Sequence, residues 1–111
     1  MKQIVKSSVF GLALIAGQVS TAFAIEVFSL SIKDHKFSPD EITIPANTKV
    51  KLLVKNLDST PEEFESEKLH REKVIRGNSQ AVIFIGPLDP GTYPFIGEFH
   101  KATAKGHINV K

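Results

Sequence analysis

Apolar and polar residues alternate with a period of two along most of this chain, and this pattern constrains the fold more than any other feature. In the segment 25–32, Phe28, Leu30 and Ile32 alternate with serines, as in a strand with one buried face. Turn residues separate the apolar segments, and only residues 62–73 are compatible with a helical turn. The sequence predicts an all-β sandwich or barrel of about seven strands. The other six predicted strands are 41–44, 49–55, 73–75, 80–85, 92–96 and 107–110.

The first 24 residues differ from the rest of the chain. Two lysines precede the apolar stretch Val9–Ala16, and small residues follow it up to Ala22-Phe23-Ala24. This order predicts a secretory signal peptide at 1–24, cleaved after Ala24, with one domain at 25–111. An uncleaved membrane anchor is the alternative, but the apolar stretch is shorter than the roughly 20 residues that span a bilayer.

Charge and cysteine content exclude several classes of function. The whole chain has 14 basic and 12 acidic residues, and loss of two lysines with residues 1–24 leaves 12 of each in an 87-residue domain. A neutral domain without a basic run predicts no nucleic-acid partner. The absence of cysteine excludes disulfides, cysteine-based zinc sites and a cysteine nucleophile. So small a core leaves little room for an organic substrate, which points to a metal ion or a protein partner.

Polar residues suited to chemistry concentrate in two places. The segment Thr60–Glu67 has four carboxylates within six residues, and Gly97–His100 ends a predicted strand with a histidine. No nucleophile elbow, catalytic triad context or glycine-rich phosphate loop is found. Imidazole with carboxylates is a ligand set that suits iron, copper, zinc or manganese, so metal binding is the sharpest hypothesis.

Several motifs spread over residues 37–110 resemble those of the cupredoxin family. The resemblance implies a Greek-key β-sandwich with a copper site at one end. It covers essentially the whole predicted mature chain, and the Pro-Gly-Thr-Tyr-x-Phe motif followed by a histidine is its most specific part. The motifs are Phe37-x-Pro39-x-x-Ile42-x-Ile44-Pro45-Ala46-x-Thr48-x-Val50, Val54-x-Asn56-x-Asp58, Pro90-Gly91-Thr92-Tyr93-x-Phe95 and Gly106-His107-Ile108-x-Val110.

The sequence departs from the ligand pattern that blue-copper members of the family have. The resemblance places the first histidine ligand at Glu62 or Glu63, the cysteine at Gly97 and the methionine near Ala104. Only His100 retains a ligand position. Without a thiolate, the trigonal blue-copper site cannot form.

A non-blue iron or copper site is therefore the prediction. Glu62 and Glu63 stay open as alternatives, since a one-residue change of strand register exchanges their faces. Each carboxylate can equally be part of a solvated surface. His35 and His70 lie in lysine-rich surroundings and are interpreted as surface residues, unless they join a site shared with a partner. The candidate metal ligands are His100, Glu98, Glu63, Glu62 and Glu65.

Within the family, residues 61–66 and Glu98-Phe99-His100 most resemble cupredoxin-like components of bacterial periplasmic iron-uptake systems. These are the cupredoxin domain of EfeO-type proteins and the small cupredoxin of FTR-type ferrous-iron transporters. The resemblance implies a periplasmic protein that assists Fe(II) oxidation and transfer, with a periplasmic iron-binding protein and a membrane iron permease as partners. Two alternatives remain: a periplasmic copper carrier without a redox role, and a metal-free interaction module that has lost its centre.

Overall fold

The computed structural model describes residues 24–111, which form two mixed sheets packed as a sandwich. The strands are β1 Val27–Lys33, β2 Lys36–Ser38, β3 Glu41–Ile44, β4 Val50–Asn56, β5 Glu62–Ser66, β6 Arg71–Ile75, β7 Ser79–Ile85, β8 Gly91–Ile96 and β9 Lys105–Val110. In the five-stranded sheet the strand order is β3-β9-β8-β5-β6, with β3 and β9 parallel. In the four-stranded sheet it is β2-β1-β4-β7, with β1 and β4 parallel. The predicted all-β sandwich is confirmed.

The described residues contain nine strands where the sequence predicted about seven. Strand β2 has three residues, too few to show an alternating pattern. Strand β5 has no alternation because Glu62 and Glu63, which are neighbours, are both buried. The segment 62–73, where a helical turn was considered, instead contains β5 and the start of β6, which pair as an antiparallel hairpin.

Three phenylalanines join the two sheets in the core. The Phe95 ring centroid lies 5.0 Å from that of Phe37 and 5.0 Å from that of Phe64, with the first pair edge to face. All three rings are buried. Because residues two apart in a strand point to the same side, Glu62 shares the inward face of β5 with Phe64 and lies at the end of the core.

The predicted signal peptide lies outside the described residues except for Ala24, so its cleavage stays a prediction. Between residues 24 and 111, no helix is both long and apolar enough to cross a membrane. The helical element of this region is a 3-10 turn, η1, at Glu98–His100 between β8 and β9.

Candidate metal centre

A buried carboxylate lies between two imidazole rings at one end of the sandwich. Glu62 is 0% exposed, and its two oxygens have different partners. Oε2 is 2.6 Å from Nδ1 of His35, and Oε1 is 3.0 Å from Nδ1 of His100. The two rings stack with their centroids 3.5 Å apart and their planes 16° from parallel. Two histidines and one glutamate thus converge from three separate segments of the chain.

His35 occupies the two-residue turn between β1 and β2. Asp34 and His35 have φ angles of 52° and 63°, in the left-handed region that a tight type I′ hairpin needs at both positions. Residues other than glycine adopt this conformation at a cost, so the turn needs support. Asp58 provides it, since its Oδ1 accepts the Asp34 N–H at 2.7 Å and its Oδ2 accepts the His35 N–H at 3.1 Å.

Asp58 is itself held by the buried side chain of Asn56 at the end of β4. The Asn56 Oδ1 accepts the Asp58 backbone N–H at 2.9 Å. Its Nδ2 donates to the carbonyl of Thr60 at 2.8 Å and to that of Ile75 at 3.0 Å. One buried amide therefore fixes the loop before Glu62 and, through Asp58, the turn that presents His35.

His100 lies at the end of η1 in a compact loop. The Gly97 N–H donates to the Ala104 carbonyl at 2.8 Å, which closes the loop at its base. The His100 N–H donates to the Gly97 carbonyl, and the His100 carbonyl accepts the Ala104 N–H at 2.8 Å. These bonds fix the backbone of His100 and direct its ring toward Glu62.

The electrostatics of the turn follow from these contacts. The hydrogen bond with Glu62 raises the pKa of His35, and the opposing effect of burial does not cancel it. Burial acts to raise the pKa of Asp58, but the N–H groups of Asp34 and His35 outweigh it and hold this pKa below its ordinary value. The lowered pKa of Asp58 keeps this carboxylate ionised beside the His35 turn, where its negative charge attracts a cation.

The three side chains are placed to share one metal ion. Each of His35, Glu62 and His100 offers a ligand atom, and these atoms all lie within 4.8 Å of one another. About a third of the His100 side chain and two fifths of the His35 side chain are exposed, so the site is open to solvent on the imidazole side. Two imidazoles and a carboxylate fit Cu(II), Zn(II) or Fe(II), whereas a blue-copper site needs a thiolate.

Gly97 stands where the resemblance places a cysteine, and the structure closes that position. A Cβ built on Gly97 would lie 2.8 Å from the Ala104 Cβ and 3.0 Å from the Glu63 carbonyl oxygen. Ala104, near the expected methionine position, is fully buried. The position therefore has no thiolate, and the neighbouring atoms of Ala104 and Glu63 leave no room there for a side chain.

The structure separates the other predicted ligands from the two histidines. Glu63 and Glu65 point to the outer face of β5 and group with Glu72 of β6. Glu98 is half exposed and pairs with Lys101. Burial is the largest cause that raises the pKa of Glu65, followed by the charge of Glu72 and then by the charge of Glu98. Burial, followed by the carboxyl of Glu72 and the charge of Glu65, raises the pKa of Glu63 to about 7. Of the five predicted ligands, Glu62 and His100 thus meet at the histidine site, Glu63 and Glu65 meet on the other face of β5, and Glu98 belongs to neither group. Metal binding by either set stays a prediction.

Sequence analysis did not assign His35 or Asp58 to the site. His35 was interpreted as a surface residue, and its side chain is indeed partly exposed, but its Nδ1 contacts Glu62. His35 and Glu62 are 27 positions apart in the sequence, so the local sequence pattern does not reveal that they are in contact. The one available signal was the Asn56-x-Asp58 motif, whose aspartate caps the turn that contains His35.

Comparison with known proteins identifies the scaffold. Residues 7–110 match the model of a family described as cupredoxin-like domain. An uncharacterised protein of Rickettsia prowazekii is 47% identical over 81 residues, which are 73% of this chain and 65% of that protein, so the match spans just under two thirds of that relative.

Solved structures of copper proteins have the same fold at low sequence identity. The metal-binding domain of the Cu(I)-exporting P-type ATPase CopA of Streptococcus pneumoniae superposes with a TM-score of 0.70 at 16% identity, covering 78% of this chain and 86% of that domain. Auracyanin A, a blue copper protein of Chloroflexus aurantiacus, gives 0.68 at 14% identity, covering 79% of this chain and all of that one. Amicyanin of Paracoccus versutus gives 0.61 at 17%, covering 83% and 87%.

The closed position at Gly97 yields a testable expectation. Gly97→Cys should not create a blue-copper centre, and both Gly97→Cys and the control Gly97→Ala should lose about 1–3 kcal/mol of unfolding free energy because each adds a crowded Cβ. Urea denaturation measures the loss, and visible absorption after Cu(II) addition detects any thiolate charge-transfer band. An intense band in the cysteine variant, or stability equal to that of the parent, would contradict this account.

Proposed function

We propose that this chain, which belongs to the family of cupredoxin-like domains, is a metal-binding protein that holds Cu(II) through His35, Glu62 and His100. The observation that carries the proposal is the arrangement of Glu62. It is fully buried, and each of its oxygens lies within 3.0 Å of a different imidazole nitrogen. A buried carboxylate with two convergent imidazoles is a ligand set already gathered at one point.

The donor atoms favour Cu(II) among the divalent metals. Affinity at sites of nitrogen and oxygen ligands rises through the first row to a maximum at Cu²⁺. Carboxylate and imidazole suit Cu(II), whereas Cu(I) prefers thiolate and thioether ligands, and this chain has no cysteine. The copper named for the structural relatives, a Cu(I)-exporting ATPase domain and a blue copper protein, supports copper as the metal, and the donor atoms of this chain support the oxidation state Cu(II).

The surrounding hydrogen bonds prepare the site for a cation. Asp58 anchors the turn that presents His35, and the loop closed between Gly97 and Ala104 anchors His100. Such outer contacts fix ligand orientation and commonly contribute 10- to 100-fold to metal affinity. Because these hydrogen bonds hold the backbone of both segments, a bound cation can replace the Glu62 contacts without unfolding either loop.

Single substitutions test the copper site. His35→Ala should weaken Cu(II) binding at least about 10-fold, because a ligand is lost. His70→Ala is the matched control, since His70 is an exposed residue in the turn between β5 and β6 and should leave the affinity unchanged. Competition titration against a chelator of known affinity measures both. Equal affinity in the parent and His35→Ala would refute the ligand assignment. No Cu(II) uptake by the parent would favour the metal-free interaction module.

A role in ferrous-iron uptake is the second candidate function. Two features support it: the resemblance of residues 61–66 and 98–100 to iron-uptake cupredoxins, and a carboxylate ligand, Glu62, that suits the product Fe(III) better than Fe(II). Copper held by His35, Glu62 and His100 would supply a one-electron acceptor, because reduction of one Cu(II) to Cu(I) balances oxidation of one Fe(II) to Fe(III). The protein would then act in the periplasm, beside an iron-binding protein and a membrane iron permease.

Anaerobic mixing distinguishes this role from simple copper carriage. Protein loaded with one Cu(II) should lose its paramagnetic resonance signal on addition of Fe(II) and yield one Fe(III) for each Cu(II) reduced. Cu(II) bound to a small imidazole chelate is the control for reaction in solution. A resonance signal that persists in excess Fe(II) would reject the oxidation role and leave the copper carrier.

A further inference from the structure

A second group of acidic side chains lies on the opposite face of β5 from Glu62. Glu63 and Glu65 are two residues apart on β5, and Glu72 is directly opposite Glu65 in the antiparallel ladder with β6. One carboxylate oxygen from each lies within 4.8 Å of the others. Like charges at opposed positions of a strand pair are destabilising, so this grouping calls for a compensating charge.

No basic side chain is paired with these carboxylates in the described structure. The ion pairs found within residues 24–111 do not include Glu63, Glu65 or Glu72. Two basic residues close to them in sequence have other partners: Arg71 donates to the carbonyl of Phe84, and Lys68 donates to the carbonyl of Thr92. Within the described structure, the three carboxylates therefore have one another, and no basic side chain, as charged neighbours.

Glu63 adds an independent observation that points to a ligand. It is 3% exposed although it lies on the outer face of the sheet, where η1 packs against β5. Its Oε1 is buried and has no hydrogen-bond partner among the described residues. A buried acceptor without a partner destabilises the folded state, and more so when it is charged, so an orphaned carboxylate oxygen on a member of an acidic cluster indicates a bound cation.

We propose that Glu63, Glu65 and Glu72 form a second metal site, separate from the histidine site, that binds a hard cation of charge two or three. All three donors are carboxylate oxygens, and no imidazole belongs to the group. Oxygen-only sites of this kind suit Mn(II), Fe(III), Ca(II) or Mg(II) and disfavour Cu(I). The exposure rises from Glu63 through Glu65 to Glu72, which gives an ion a path from solvent to the buried oxygen.

The arrangement gives one strand two ligand sets of different chemistry. Glu62 faces inward to the imidazoles, and Glu63, its neighbour, faces outward to the other carboxylates, because successive residues of a strand point to opposite sides. The outer site does not depend on the proposed copper function. Each site can therefore be removed without changing a ligand of the other.

Manganese binding to the protein stripped of metal tests the proposal. Free Mn²⁺ has a six-line paramagnetic resonance signal that is lost on binding, so titration gives the number of sites and their affinity. We expect a carboxylate site in the parent, which His35→Ala distinguishes from any Mn²⁺ bound by the histidines, and a loss of about 10-fold or more in the affinity of that site in Glu72→Gln and in Glu65→Gln. Glu67→Gln is the matched control, because Glu67 is an exposed carboxylate beside the cluster and outside it.

Further measurements separate this site from the histidine site. His35→Ala should leave the Mn²⁺ affinity unchanged, and Glu72→Gln should leave Cu(II) affinity unchanged. Glu72 is exposed, so its variant should keep the parental circular dichroism spectrum. The proposal is overturned if the parent binds no Mn²⁺, if Glu72→Gln and Glu65→Gln bind it as the parent does, or if His35→Ala abolishes the binding.

Discussion

The buried carboxylate of Glu62, held between two imidazoles, is the interaction on which this site depends. Removing a carboxylate from water costs several kcal/mol unless close partners compensate for it. His35 and His100 are those partners, one for each oxygen. The need is mutual, because Glu62 also holds the two rings in a stacked pair at the end of the core. A site that binds a cation in this place therefore rests on groups that already require one another.

The rest of the fold supplies the supports for these three residues. Asn56 fixes Asp58, and Asp58 fixes the left-handed turn that carries His35. The loop after β8 is packed against Gly97, where no side chain fits without displacement. The fold is one that solved copper proteins also have, and the candidate donors here are imidazole and carboxylate. Such donors suit Cu(II) and Fe(III) better than Cu(I).

Much of the fold, but only part of the site, could be predicted from sequence. Alternation in segments such as 25–32 and 80–85 predicted strands because one face of each is buried. It failed at β5, where the neighbours Glu62 and Glu63 are both buried, so that neither face of the strand shows the alternation of apolar and polar residues. Glu62 and His100 were named as candidates from family motifs. His35 was interpreted as a surface residue, since its contact with Glu62 depends on a pairing across 27 positions.

X-ray absorption at the copper edge identifies the atoms around Cu(II) bound at the Glu62 cluster. Protein loaded with one equivalent of Cu(II) is expected to show two imidazole nitrogens, from His35 and His100, with carboxylate oxygen and no sulfur around the metal. The multiple-scattering pattern of imidazole counts these rings without relying on substitutions. A spectrum with fewer than two imidazoles, or with sulfur in the first coordination sphere, would contradict the assignment of the Glu62 cluster as the metal centre.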